Sequence, residues 1–165
     1  MRSQLRIQPL IVLLLLILAT TLPNTTTAFP HHHREVSSEK ATPETVLRYV
    51  NKFRESHGHK ALKMNTAISA EAEKHSSNMA KHNVPFGHAG FDNRAKRLGR
   101  EITPMNAIAE NVAMGSLSAK KMVDLWINSA GHRKNMLGNY DITGIGIASD
   151  RQGNQYFTQI FINNK

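Results

Sequence analysis

Apolar residues recur at intervals of three and four residues in three segments of the chain, a spacing typical of amphipathic helices. The first predicted helix begins at Thr42, a capping residue followed by a proline, and ends near Gly58. Asn65 and Ser118 are suitable caps for the second and third helices, and Gly131 is expected to end the third. The predicted buried faces carry Val46, Leu47, Val50 and Phe53, then Ile68, Ala72, His75 and Met79, then Met122, Val123, Trp126 and Ala130.

Three runs rich in apolar residues predict β-strands. Residues 143–149 and 155–162 are joined by a turn-rich connection, 150–154, and residues 109–114 form a shorter candidate. One or two helical turns are expected over residues 92–98. Because most of the predicted helices precede the strands, the pattern predicts an α+β domain.

One face of the strand predicted at 143–149 carries only small residues. Gly144, Gly146 and Ala148 alternate along it, so they point to the same side of the sheet. A backbone segment, a helix or a ligand is therefore expected to approach this face closely.

The first 28 residues are predicted to be a secretory signal peptide. Two arginines precede an apolar block, 10–19, which is too short to span a bilayer comfortably, and small residues follow up to Ala28. Cleavage after Ala28 leaves 137 residues and lowers the net charge from +9 to +7, since the removed piece carries two arginines and no acid. Residues 29–41 are expected to form a flexible tether and residues 42–165 the folded domain. We therefore expect secretion, extracellular or periplasmic, with no transmembrane segment left after cleavage; an uncleaved anchor is the alternative.

The composition narrows the possible classes of function. The chain contains no cysteine, which excludes thiol catalysis and cysteine-ligated zinc. Its 21 Lys and Arg against 12 Asp and Glu favour anionic partners such as envelope components, lipids or glycans. Nucleic acid is not predicted, because the basic residues are spread along the chain and aromatic residues make up only 6% of it.

Three polar residues, His88, Glu110 and His132, are candidates for a binding or catalytic site. His88 lies on a loop flanked by glycines, where a side chain can be exposed and aimed. Glu110 is in line with apolar positions, so it needs a partner, whether His, Arg, a metal or a hydrogen-bond network. His132 follows the third predicted helix. The alternatives are structural: His88 and Glu110 hydrogen-bonded to each other, His132 capping helix carbonyls, and His75 a packed core histidine.

Five motifs in a fixed order carry a family resemblance. They read Phe-Gly-His-x-Gly-Phe, Ala-Glu-Asn-Val-Ala, Val-x-x-Trp-x-x-Ser-x-Gly-His-Arg-x-Asn-Met-Leu, Gly-Ile-Gly and Tyr-Phe-Thr-Gln-x-Phe. From about Thr42 to Phe161 the chain resembles the CAP superfamily, also called the SCP domain, which includes cysteine-rich secretory, venom antigen and plant pathogenesis-related proteins. The Gly-His-Arg variant and the lack of cysteine are typical of bacterial members.

The resemblance implies an α-β-α sandwich, with a central antiparallel sheet between helical layers, and a groove. In eukaryotic members two His and two Glu line that groove, and some members bind zinc or another divalent ion there. His88 and Glu110 match the first His and the Glu of the Glu-Asn motif. Ser129 and Tyr156 stand where the family has its second Glu and second His.

His132 is a plausible substitute ligand, because it lies about one helical turn beyond Ser129. We hypothesise that His88, Glu110 and His132 converge on one groove and are the candidate ligands for zinc or another divalent cation. Ser129 and Tyr156 are then expected at its edge. The candidate groove residues also include Asn111 and Arg133.

The predicted function is that of a secreted, non-enzymatic binding module for a divalent metal, a lipid or an envelope ligand, with a protein partner also possible. The alternative is a metal-dependent, protease-like hydrolase that uses His88, Glu110 and His132. A third hypothesis is a hydrolase with a triad of Ser129, His132 and Glu110. It is the least favoured, because Ser129 lacks the strained elbow of such nucleophiles.

Overall fold

The computed structural model describes residues 39–165. The predicted signal peptide, 1–28, and most of the predicted tether lie outside the described residues. The last residues of that tether belong to the folded domain instead. Ala41 is buried in the core, and the carbonyl oxygen of Glu39 accepts a hydrogen bond from the amide of Ala119 at 3.3 Å.

Helices and short connections occupy the first half of the domain, and the long strands lie mainly in the second half. In chain order the elements are α1 (Pro43–Ser56), β1 (Lys63–Met64), α2 (Thr66–Ala80), α3 (Phe91–Glu101), β2 (Ala107–Met114), α4 (Ala119–Asn128), α5 (Ala130–Met136), β3 (Ile142–Ser149) and β4 (Gln155–Asn163).

The predicted caps form. The Thr42 hydroxyl accepts from the Thr45 amide at 3.2 Å, and the Thr45 hydroxyl accepts from the Thr42 amide at 2.9 Å, which together make a capping box. The Asn65 side chain caps α2, and the Ser118 hydroxyl caps α4. Local polar chemistry therefore fixes where these three helices begin.

The four strands form one sheet in the order β1-β3-β4-β2. The three long strands are antiparallel, as predicted, and β2 lies at one edge. The other edge is the two-residue strand β1, which runs parallel to β3 with Lys63 opposite Ile142. The sheet is therefore mixed rather than purely antiparallel.

Helices cover both faces of the sheet, as expected for an α-β-α sandwich. Alternate residues of β4 face opposite layers. Phe157 and Phe161 pack with Trp126 and with apolar residues of α1, α4 and α5. Ile160 and Ile162 pack on the opposite face with apolar residues of α2 and α3. This arrangement confirms the predicted α+β class.

The third predicted helix is corrected. It was expected to include Ala130 and to end at Gly131, but α4 ends at Asn128 and a second helix, α5, contains both residues. Ser129 has an extended backbone, with φ −96° and ψ 121°, and separates the two helices. The break lets α5 pack against β2, where the Asn135 side chain reaches the strand. The predicted turns at 92–98 are also longer, forming the 11-residue helix α3.

Candidate functional site

A buried carboxylate lies at the centre of the candidate site. Glu110 is on the edge strand β2, and its side chain is 1% exposed. Arg94 of α3 donates from Nε to Oε2 at 2.9 Å and from Nη2 to Oε1 at 2.8 Å, a bidentate ion pair. His88 donates from Nδ1 to Oε1 at 2.9 Å. The need of Glu110 for a partner is therefore met by an arginine and a histidine together.

Arg94 is the functional residue that the sequence analysis missed. Its side chain is 5% exposed, and Nη1 also donates to the carbonyl oxygen of Ala89 at 2.8 Å. This bond ties the loop that carries His88 to α3. One signal in the sequence was available: Arg94 and the buried Leu98 are four residues apart and so share a helix face. A charged residue on the buried face of a short helix requires a buried partner.

His132 lies in α5 and does not join the cluster directly. In the described part of the chain its ring makes no hydrogen bond with His88 or Glu110, and it packs beside Trp126 at 6.4 Å between ring centroids. Burial, and to a smaller extent the electrostatic effect of His88, lower the pKa of His132 below its ordinary value. His88 and Glu110 are therefore in direct contact, whereas His132 is linked to His88 by an electrostatic effect but by no hydrogen bond.

Hydrogen bonds of two asparagine side chains hold α5 to β2, the strand that carries Glu110. Asn111 donates from Nδ2 to the carbonyl oxygen of His132 at 3.2 Å, and its Oδ1 accepts from Asn135 Nδ2 at 2.9 Å. The Asn135 amide also donates to the carbonyl oxygen of Glu110 at 3.2 Å. Asn111 is fully buried, so its position indicates a structural role in holding α5 to the strand.

The remaining candidates take structural positions. Ser129 caps α5 through its carbonyl, which accepts from the amide of Arg133 at 2.8 Å. The Arg133 guanidinium donates to the carbonyl oxygen of Ile127 at 2.6 Å, near the end of α4. Tyr156 is buried, with its hydroxyl 3.5 Å from Asp150. Between residues 39 and 165, Ser129, His132 and Glu110 make no hydrogen bonds that would link them as a triad.

The cluster does not fit the divalent ion that the resemblance implies. Both carboxylate oxygens of Glu110 are held by Arg94, and His88 takes a further bond to Oε1. A guanidinium beside the carboxylate supplies the positive charge that a metal would otherwise bring. Throughout 39–165, no three His, Asp or Glu side chains come together to hold a metal. The candidate ligands His88, Glu110 and His132 are thus not assembled as a metal centre.

An apolar rim borders the cluster. Phe86 is 53% exposed, and its ring lies 6.4 Å from that of Tyr156. Met114, at the end of β2, is 47% exposed and pairs directly opposite Tyr156 in the sheet. Phe86 and Met114 are thus both neighbours of Tyr156, and His88, two residues beyond Phe86, has a side chain that is 55% exposed; we call these three exposed residues the Phe86 rim.

The fold and the motifs around this site match a known family. The family described as "CAP: Cysteine-rich secretory protein family" matches residues 47–161. The chain belongs to this CAP family. The resemblance seen in the sequence motifs is confirmed, including the cysteine-free type found in bacteria.

Bacterial proteins are among the relatives of this CAP domain. It is 32% identical over 133 residues to the Bacillus subtilis protein "Uncharacterized protein YkwD", covering 76% of this chain and 49% of that protein. The chain spans half or less of the length of the curated relatives it matches.

Solved structures share the fold. An outer surface protein from Borrelia burgdorferi has a TM-score of 0.65 at 16% identity, over 74% of this chain and 92% of that one. An extracellular protein containing an SCP domain from Bacillus anthracis has a TM-score of 0.60 at 26% identity, over 73% of this chain and 40% of that one.

Among residues 39–165, no helix of the CAP domain combines the length and apolar character needed to cross a bilayer.

Acidification is expected to destabilise the CAP domain through His75. This residue is buried, as predicted, and its Nε2 lies 2.7 Å from the carbonyl oxygen of Gly87. Burial lowers the pKa of His75 below its ordinary value of 6.5; Arg94 and His88 act in the same direction, while the Gly87 carbonyl and Glu110 oppose it. The unfolded chain therefore takes up a proton more readily. The free energy of unfolding is retained above about pH 6.5 and falls as the pH drops towards the folded pKa.

Urea denaturation at pH 7 and pH 5 measures this effect. The wild type is expected to have a lower midpoint at pH 5, and the difference between the two pH values is expected to shrink in His75→Gln. Glutamine keeps an amide donor for the Gly87 carbonyl but does not titrate. An equal pH dependence in the two proteins would show that His75 does not carry it.

Proposed function

We propose that this chain is a secreted, non-enzymatic binding module, and that its Phe86 rim receives an amphiphilic lipid of a cell envelope. One observation carries the proposal: the acidic group at the centre of the site, Glu110, is fully paired with Arg94 and His88. The charged groups of Arg94 and Glu110 therefore stabilise the fold, and the exposed side chains of the Phe86 rim are the groups that we expect to contact a ligand.

A general base needs a lone pair within hydrogen-bond reach of the substrate. The Glu110 carboxylate is buried, and three charge-assisted hydrogen bonds occupy its oxygens. His88 uses Nδ1 for Glu110, while Nε2 makes no hydrogen bond with any residue that the structure describes. The paired Glu110 carboxylate is therefore not free to act as a base, and the exposed Nε2 edge of His88 is available to a polar ligand group.

The Phe86 rim supplies the apolar part of the contact. Phe86 and Met114 are two of three large apolar residues that are exposed in the described domain; the third, Leu125, lies on α4. Exposed apolar side chains grouped beside a polar site are typical of ligand and membrane contacts. The net charge of +7 expected for the secreted chain adds a general attraction to anionic envelopes.

Co-sedimentation with neutral phosphatidylcholine vesicles tests the proposal without a contribution from net charge. We expect Phe86→Ala and Met114→Ala each to weaken binding by about tenfold, since about 1.4 kcal/mol of apolar burial is lost in each. Leu125→Ala is the matched control, because Leu125 is 51% exposed but lies on α4, in another helical layer. We expect it to bind as the wild type does.

Two results would contradict the proposal. Equal losses in all three variants, or no binding by the wild type, would remove the Phe86 rim as a lipid site. A tight zinc site by calorimetry that disappears in His88→Ala would instead support the alternative, a metal-dependent hydrolase using His88, Glu110 and His132.

A further inference from the structure

A separate cavity of about 700 Å³ lies at the end of the sheet where β3 begins and β4 ends. Its walls come from the connection between α1 and β1, from residues 139–141 and from the end of β4. It shares no residue with the cluster of His88, Arg94 and Glu110. Its volume falls within the range of small-molecule sites in proteins, about 300–1,000 Å³.

The charge of this cavity is strongly positive. Lys60, Lys63 and Lys165 line it, and against them stands one acid, Asp141. Within the described residues, none of the three lysine ammonium groups lies within 4.0 Å of a carboxylate. The Asp141 carboxylate keeps its charge in the cavity wall, where its Oδ1 accepts from the amide of Asn164 at 2.8 Å, so three lysines stand against one acid. The lysines are therefore free to receive an anion.

A buried arginine shapes the cavity and adds to its charge. Arg54 is 2% exposed and donates only to backbone carbonyl oxygens, with no carboxylate among its partners in the described chain. These bonds tie the segment that carries Lys60 to the segment that precedes β3, so the two walls are held in place. The guanidinium charge is not neutralised by an acid and adds to the positive potential. The accepting carbonyls belong to Lys60, Met136, Gly138 and Tyr140.

We propose that this cavity binds phosphate groups of an anionic ligand. Lysine ammonium groups act as point charges for phosphate. Asn163 also lines the cavity, and its amide donates to the carbonyl oxygen of Asn139 at 2.8 Å, which holds two segments of the wall together. The lining is mostly polar and charged, with Tyr140 as its aromatic member. This chemistry suits a phosphodiester group, whether it belongs to a polymer or to a lipid headgroup.

Binding of the full secreted chain to two probes distinguishes the sources. One probe is a short glycerol-phosphate oligomer in solution, and the other is a vesicle of phosphatidylglycerol in phosphatidylcholine. Lys60→Gln combined with Lys63→Gln is expected to lower affinity by about 30-fold, since each lysine near an anionic surface contributes roughly a fivefold factor. The matched control, Lys81→Gln with Lys96→Gln, removes the same charge from exposed lysines outside the cavity. It is expected to lose less than about threefold, because only general attraction by net charge is reduced.

Binding of the oligomer assigns the site to a polymer, and binding only of the anionic vesicles, in excess of binding to pure phosphatidylcholine, assigns it to a lipid headgroup; both support the phosphate site. Equal losses in the two double variants would overturn the proposal, because general attraction by net charge would then explain binding. Failure of the wild type to bind either probe at low salt would also overturn it. The Phe86 rim is intact in these variants, so vesicles of pure phosphatidylcholine measure its contribution, which is subtracted from binding to the anionic vesicles.

Discussion

Replacing Arg94 by methionine is expected to lower the free energy of unfolding by about 3–5 kcal/mol. The variant leaves the Glu110 carboxylate, 1% exposed, with the half-exposed His88 as its remaining side-chain hydrogen-bond partner. Removing one member of a buried ion pair costs more than the pair itself contributes, because the other charge stays buried without compensation. Urea denaturation at pH 7 measures the loss.

The chain provides a matched control on the same helix. Arg97 forms a bidentate pair with Glu71 at 2.8 and 2.7 Å, so its geometry is like that of the buried pair. Arg97 is 42% exposed and Glu71 is 18% exposed, and water screens the interaction. Arg97→Met is therefore expected to cost about 1 kcal/mol or less. If Arg94→Met costs no more than this, the pair with Glu110 does not hold the site together.

A double variant distinguishes the cost of an unpaired buried charge from the cost of altered packing. Arg94→Met combined with Glu110→Met removes both charges and keeps apolar volume at the two positions. We expect it to recover most of the stability lost in Arg94→Met, since an apolar pair often replaces a buried ion pair at little cost. A double variant as unstable as the single one would indicate that packing, not the unpaired charge, is responsible.

The elements that depend on local chemistry could be predicted from the sequence. Thr42, Asn65 and Ser118 cap the helices at the predicted positions because each cap bonds to an amide only three residues away. The α+β class followed from apolar periodicity and chain order. The small residues of β3 predicted a close approach, and the approaching element is α2.

The elements that depend on distant contacts could not be predicted in the same way. The break at Ser129 and the separate helix α5 depend on the Asn135 side chain meeting β2, a contact more than 20 residues apart in sequence. Strand β1 has two residues and is defined by its partner β3. For the site, the sequence identified His88 and Glu110 but not Arg94, because a buried arginine on α3 can be paired with Glu110 only once the layers are known.

A single methyl group at Gly146 is expected to cost about 3 kcal/mol or more in the free energy of unfolding. Gly146 lies on β3 directly beneath α2, and an added Cβ would lie 2.1 Å from the amide nitrogen of Glu73 and 2.3 Å from the carbonyl carbon of Ala72. Real carbon atoms do not approach backbone so closely, and no side-chain rotation can relieve a clash with backbone atoms. In Gly146→Ala, α2 must therefore move away from the sheet, which opens the core between them.

Gly131→Ala is the control for the substitution itself. Gly131 lies in α5, and a Cβ there meets no atom within 4 Å. Alanine is the better helix former by about 1 kcal/mol, so this variant is expected to be as stable as the wild type or slightly more stable. Chemical denaturation gives the free energy of unfolding of both variants, and the difference between them measures the cost of the clash with α2.

The two outcomes at Gly146 have opposite consequences for the sheet surface beneath α2. If Gly146→Ala unfolds within about 1 kcal/mol of the wild type, less than overpacking a tight core normally costs, α2 does not pack on β3 as closely as described. The small residues of that strand would then need another explanation. A large loss at Gly146 beside none at Gly131 would show that the strand surface is reserved for the helix backbone. A ligand would then be excluded from the patch of β3 that carries Gly144 and Gly146, so binding must take place on another surface.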